Sequence, residues 1–152
     1  MTPRRIKLVI KSSLENVSMI GYAVNKICSQ IPLDEEESYQ TELCICEACN
    51  NVIKHAYKNN PNHDVEVVVS LYADKIVFDI CDSGVKLKEK PTPTLDFKPD
   101  DLEHLPEGGM GLFIMKNLMH QVDYRAKNGK NILTLIKFFY QKQKTPLNQS
   151  RL

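Results

Sequence analysis

Glu47, Asn51 and His55 recur at every fourth position of the stretch Glu47-Ala48-Cys49-Asn50-Asn51-Val52-Ile53-Lys54-His55-Ala56-Tyr57. At about 3.6 residues per turn they form one polar stripe on a helix. The remaining faces carry Cys46, Cys49, Val52, Ile53, Ala56 and Tyr57. A solvated face is the ordinary explanation of such a stripe. The apolar content around it predicts instead a helix buried on most sides, so that a carboxylate and an amide border a cleft.

A chain of 152 residues with 42% hydrophobic residues suits one domain, expected over residues 1–140, followed by a polar tail over 141–152. The formal net charge of +1 gives no reason to expect nucleic acid or membrane as a direct partner. The first ten residues are basic, and their short apolar run is broken by Lys7, which is unlike a secretion signal. No apolar stretch reaches the roughly 20 residues of a membrane span, and a cytoplasmic protein is expected. The five cysteines, Cys28, Cys44, Cys46, Cys49 and Cys81, then read as reduced, buried thiols. Cys44, Cys46 and Cys49 fall within two helical turns and lack a second Cys or His pair suited to zinc.

Alternation with Ile6, Leu8 and Ile10 on one side predicts an opening strand over residues 4–11. Ser12-Ser13-Leu14-Glu15 has the form of a capping box, followed by an amphipathic helix to about Gln30 and by Pro32. Negative charge over residues 34–37 favours the start of a second helix, expected to run to about Lys58. Val65, Val67, Val69 and Leu71 line one face of a hairpin over 65–72 and 75–82, with Ala73-Asp74 at the bend. Residues 86–106 carry four prolines and no period, which predicts a long loop. A third helix is expected from Gly108 to about His120, then two strands near 121–126 and 131–140 joined through Asn128-Gly129. The elements sum to an α+β two-layer α/β sandwich, a mostly antiparallel mixed sheet of about five strands with three helices on one face.

Glu47-x-x-x-Asn51 followed by His55-Ala56-Tyr57 resembles the N-box of the histidine-kinase-like ATPases, the superfamily of gyrase-type ATPases, heat-shock chaperones, histidine kinases and mismatch-repair proteins. Two further segments are similar to that family's boxes in the same order, Asp82-Ser83-Gly84 after a strand and Gly108-Gly109-Met110-Gly111-Leu112 opening a helix. Together with Phe113, Ile114, Met115, Leu118 and Met119, the last segment looks most like the glycine box of bacterial anti-sigma-factor serine/threonine kinases. The resemblance covers almost the whole chain.

It implies ATP and Mg²⁺ as cofactors, with the side-chain oxygen of Asn51 as the metal ligand and Glu47 as the base that takes a proton from the attacking hydroxyl. His55 continues the same box. An acceptor carboxylate at Asp82 selects adenine through its amino group, and Gly84 allows backbone to approach the base. Gly108, Gly109, Met110, Gly111 and Leu112 offer backbone N–H groups to phosphate at a helix N-terminus. Residues 86–106 become the lid over the nucleotide, where Lys86, Lys88, Lys90, Lys98 and His104 are candidates to reach the γ-phosphate. Thr134 is a loose match to a threonine near the base. Lys86 stands where the family's second box glycine belongs, and Glu107 where some relatives have arginine. The implied partners are a sigma factor, a STAS-type anti-anti-sigma antagonist that is phosphorylated on serine, and a second copy of the chain. The alternative is a nucleotide-binding partner-switching module without phosphoryl transfer, motivated by Lys86 and Glu107.

Overall fold

The alternating valines after residue 64 form the centre of a sheet. In the computed structural model, which describes residues 2–87 and 110–139, the strands are Arg4–Lys11 (β1), Asp64–Leu71 (β2), Lys75–Asp82 (β3), Gln121–Lys127 (β4) and Lys130–Phe138 (β5). They build one five-stranded sheet in the order β1-β2-β3-β5-β4. All four ladders are antiparallel, the limiting case of the mostly antiparallel sheet expected. Opposed residues share a face, so the register Val67↔Ile80 and Phe78↔Leu135 assembles one apolar surface from Val65, Val67, Val69, Ile76, Phe78, Ile80 and Leu135. All seven are buried.

Three helices cover that surface: Val17–Cys28 (α1), Glu35–Asn51 (α2) and Met110–Leu118 (α3). Ile20 and Val24 of α1, Ile45, Ala48 and Cys49 of α2, and Met115 of α3 reach the core, joined by Val52, Ile53 and Met119 beyond the helix ends. Full burial of each Ile or Val contributes about 1.5–3 kcal/mol, so α2 and its continuation dominate the helical layer. Cys28, Cys44 and Cys49 lie in this core as free thiols, and burial pushes each up to about 12, far from reactive. No trio of His, Cys, Asp or Glu among the described residues is placed to hold a metal ion. No helix among them is long and apolar enough to cross a membrane.

The first helix starts differently from the expected capping box. Ser12 is buried, and its hydroxyl donates to the Asn60 carbonyl at 2.5 Å and accepts from the His63 N–H at 3.1 Å. Its side chain therefore ties the end of β1 to the turn before β2. A short 3₁₀ turn, Leu14–Asn16, follows Ser13 and leads into α1, which ends at Cys28. The capping box occurs one helix later. The Asp34 carboxylate accepts from the Glu37 N–H at 2.7 Å, and the Glu37 side chain accepts from the Asp34 N–H at 3.5 Å. Residues 34–37 thus satisfy orphan donors directly as well as favouring the helix dipole.

Past Asn51 the helix widens into a π-helical segment, Val52–Ala56. The Tyr57 N–H donates to the Val52 carbonyl at 2.9 Å, five residues back. Lys58 and Asn59 then adopt left-handed backbone, with φ of 50° and 62°, and turn the chain towards β2. At the other hairpin, Asn128 and Gly129 take φ of 55° and 75°, the paired positive values of a tight turn between β4 and β5.

Candidate functional site

Glu47 and Asn51 stand one turn apart near the end of α2, and both are half-buried. Their backbone is held by the buried face of the helix, Cys44, Ile45, Ala48 and Cys49. α3 packs against α2, and its first turn is Met110-Gly111-Leu112. His55 does not continue the stripe. The wider π turn makes four residues less than one full turn, and the His55 side chain is exposed. Gly108 and Gly109 lie outside the described residues, as do Lys88, Lys90, Lys98, His104, Glu107 and the tail 141–152. Lys86 is described and is exposed.

Asp82 closes β3 on the helix side of the sheet and is 5% exposed. Its Oδ1 accepts from the Gly84 N–H at 2.9 Å and from Asn131 Nδ2 at 2.8 Å. Asn131 Nδ2 also donates to the Gly84 carbonyl at 3.0 Å. Among the described residues both of these bonds fall on Oδ1. Burial raises the Asp82 carboxyl above its usual range, and the bonds from Asn131 and Gly84 oppose that rise. Because the folded value is raised, Asp82 contributes most to stability below about pH 3.8, and that contribution is lost as pH rises through the folded value. Denaturation of wild type and Asp82→Asn across that window should therefore show wild type losing stability relative to the variant as pH increases. A flat difference would contradict the raised value.

The turn after Asp82 is clasped to the end of α2. The Val85 N–H donates to the Ala56 carbonyl at 2.9 Å, and the Ser83 N–H donates to the Tyr57 hydroxyl at 2.9 Å. Tyr57 in turn donates to the Asp64 carbonyl at 2.7 Å and stacks on His63 with ring centroids 4.6 Å apart. Gly84 is needed for this clasp. A Cβ there would sit 2.6 Å from the Ala56 carbonyl carbon and closer still to its oxygen. The glycine serves backbone packing against α2, in addition to any approach to a base. Gly84→Ala should lower the unfolding free energy by about 1–3 kcal/mol, the usual cost of overpacking, read by urea denaturation. An unchanged midpoint would mean that the clasp yields freely.

Farther along, the Leu87 N–H donates to the Tyr124 hydroxyl of β4 at 3.0 Å, so the exit from β3 is fastened at two places. Asn131 is a residue that sequence reasoning missed, and Tyr57, named there only as part of the helical stretch, supplies the hydroxyl that holds Ser83. Asn131 is opposite Asp82 in the β3–β5 ladder, a pairing visible only once the strand order is known. Thr134 is not brought to the site. It pairs with Asp79, to whose Oδ1 its hydroxyl donates at 2.6 Å, on the sheet face turned away from the helices and from Asp82. A shallow cavity of about 310 Å³ lies beside Asp82, lined by Lys11, Tyr57, His63, Asp64 and Lys130 among others. Neither Glu47 nor Asn51 lines it.

Glu47 and Asn51 present hard oxygen donors. That set suits Mg²⁺, which keeps several waters and often takes a single protein oxygen, and it does not suit a soft metal.

The chain is 28% identical over 144 residues to a serine-protein kinase RsbW of Bacillus mycoides (strain KBAB4), an alignment covering 91% of this chain and 88% of that protein. The RsbW of Bacillus cereus (strain ZK / E33L) matches to the same extent. Among solved structures, the RsbU and RsbW domains of a Mycobacterium tuberculosis protein superpose with a TM-score of 0.64 at 12% identity, covering 89% of this chain and 32% of that one. The histidine kinase domain of a blue-light activated kinase from Erythrobacter litoralis superposes with a TM-score of 0.55 at 16% identity, covering 88% and 63%. At those identities the structural likeness speaks for the fold. A family profile described as histidine kinase-like ATPase domain matches residues 10–137, and the chain belongs to that family.

Proposed function

We propose that this protein is an ATP-dependent serine kinase that holds a sigma factor and phosphorylates a STAS-type anti-anti-sigma antagonist. The observation that carries this reading is the alignment of nearly the full chain with serine-protein kinases RsbW, combined with Glu47 and Asn51 on one helix whose continuation is hydrogen-bonded, through Ala56, to the turn that follows Asp82. In this reading the Glu47 carboxylate accepts the proton of the attacking serine hydroxyl as its oxygen bonds to the γ-phosphorus and ADP departs. The Asn51 amide oxygen holds Mg²⁺, which when bound neutralises charge on the phosphates. Asp82 Oδ2 accepts from the adenine amino group, and the backbone of Met110, Gly111 and Leu112 at the head of α3 offers N–H groups to phosphate, with Gly108 and Gly109 before them.

Phosphate on the antagonist would add charge at its docking surface and release the kinase to bind sigma again. The site of action is the cytoplasm, with neither membrane nor nucleic acid bound directly. The homodimer fits the sheet face opposite the helices, where half-buried Val68, Val77, Ile132 and Ile136 await a covering layer. The deciding experiment incubates the protein with labelled ATP, Mg²⁺ and a purified STAS-type antagonist. Label on an antagonist serine supports the kinase. ATP-dependent partner binding with no label after long incubation would instead support the switching module that Lys86 and Glu107 motivate.

A further inference from the structure

α2 is sealed on its inner face, and its exposed positions are Glu35, Glu36, Tyr39 and Leu43. Tyr39 is 62% exposed and Leu43 36%. Single exposed apolar residues are ordinary. Here two large ones occupy successive turns of one helix and lead directly to Glu47, which follows Leu43 by four residues. The seam with α1 adds a third. Gly21 packs against the Glu42 and Cys46 side chains, and Tyr22 beside it is 72% exposed. Beyond Tyr39 the surface turns acidic with Glu35 and Glu36.

Taking the kinase reading as given, we propose that this strip is the docking track for the protein substrate, and that it selects a segment with apolar side chains beside the acceptor serine and a basic side chain beyond them. A serine whose hydroxyl reaches Glu47 must lay its flanking residues over whatever adjoins Glu47 on the open side. At a rise of about 1.5 Å per residue, Leu43 lies roughly 6 Å and Tyr39 roughly 12 Å from Glu47 along the axis. An extended chain advances about 3.3 Å per residue, so its residues two and four places from the serine meet Leu43 and Tyr39. A Lys or Arg about five places away meets the acidic first turn. Apolar contact there supplies affinity, and the charge at the far end sets the direction of the segment.

The test measures transfer from labelled ATP to the purified STAS-type antagonist for wild type, Tyr39→Ser/Leu43→Asn, Tyr39→Phe and Leu14→Asn. Leu14 is an exposed apolar residue of the 3₁₀ turn before α1. The double variant should raise KM for the antagonist at least tenfold while kcat and ATP affinity stay within about twofold. Tyr39→Phe and Leu14→Asn should behave as wild type. Adding Glu36→Lys should raise KM further, by a factor that shrinks with salt. An unchanged KM in the double variant, with wild type active, overturns the docking track and leaves the kinase reading standing. So does an equal rise in Leu14→Asn. Absence of transfer by wild type overturns the kinase reading and the track with it. Because Tyr39 is exposed, Tyr39→Ser alone serves as the folded fallback, with an expected rise in KM of several-fold.

Discussion

Glu47→Ala should reduce phosphoryl transfer to the antagonist by about 10³-fold, within the range that removing a general base produces. ATP affinity should change by less than about threefold, because the phosphate and adenine contacts proposed for this site come from other residues. The substitution is also favourable for the test as a matter of stability. Glu47 is half-buried on a long helix whose packing face lies elsewhere, and alanine is a good helix former. Single-turnover transfer and calorimetric ATP binding, run on the same preparation, separate the two quantities. If both fall equally, Glu47 belongs to nucleotide binding and the proton must go elsewhere.

The second large effect is expected at Asp82. Asp82→Ala removes the shared acceptor of the Gly84 N–H and the Asn131 amide, and Asn131 is itself only 3% exposed. A buried donor left without a partner costs about 1–3 kcal/mol; Asn131 keeps its bond to the Gly84 carbonyl, and the Gly84 N–H is only part-buried. Relief of the buried carboxylate offsets part of this, so a net loss of roughly 2 kcal/mol in unfolding free energy is expected. ATP affinity should fall by about 10²-fold, since both the adenine acceptor and the geometry of the turn are lost. At saturating ATP the transfer rate should recover to within about threefold of wild type, the signature that distinguishes a binding role from that of Glu47. Loss of the preference for ATP over GTP is the accompanying readout. Retention of that preference would remove Asp82 from base recognition.

The residues that disclosed the fold are those whose local pattern and tertiary role agree. Val65, Val67 and Val69 alternate because one sheet face is buried, and the hairpin emerges within a residue of its expected bounds. The end of α2 was legible as a helix, but the π-helical turn at Val52–Ala56 was not, since no residue type there encodes it. Its consequence, the outward placement of His55, was lost with it. Ser12 and Glu15 have the letters of a capping box, yet the Ser12 hydroxyl is committed to Asn60 and His63, 48 and 51 residues away. Local chemistry gave way to a contact no local pattern contains. Thr134 was misplaced for a different reason. Ile132, Leu133, Leu135 and Ile136 surround it with apolar residues on both faces, so alternation cannot say which way it points, and the β3–β5 register decides. Asn131 depended on the same register.

The hydrogen bond from Val85 to Ala56 has a mechanical corollary. The wide turn after Asn51 gives its last carbonyl to a neighbouring segment instead of to its own coil. The rod bearing Glu47 and Asn51 is thereby yoked to the peptide that leaves Asp82. In the kinase proposed above, a shift of that peptide would be carried through Ala56 to the stretch that bears Glu47.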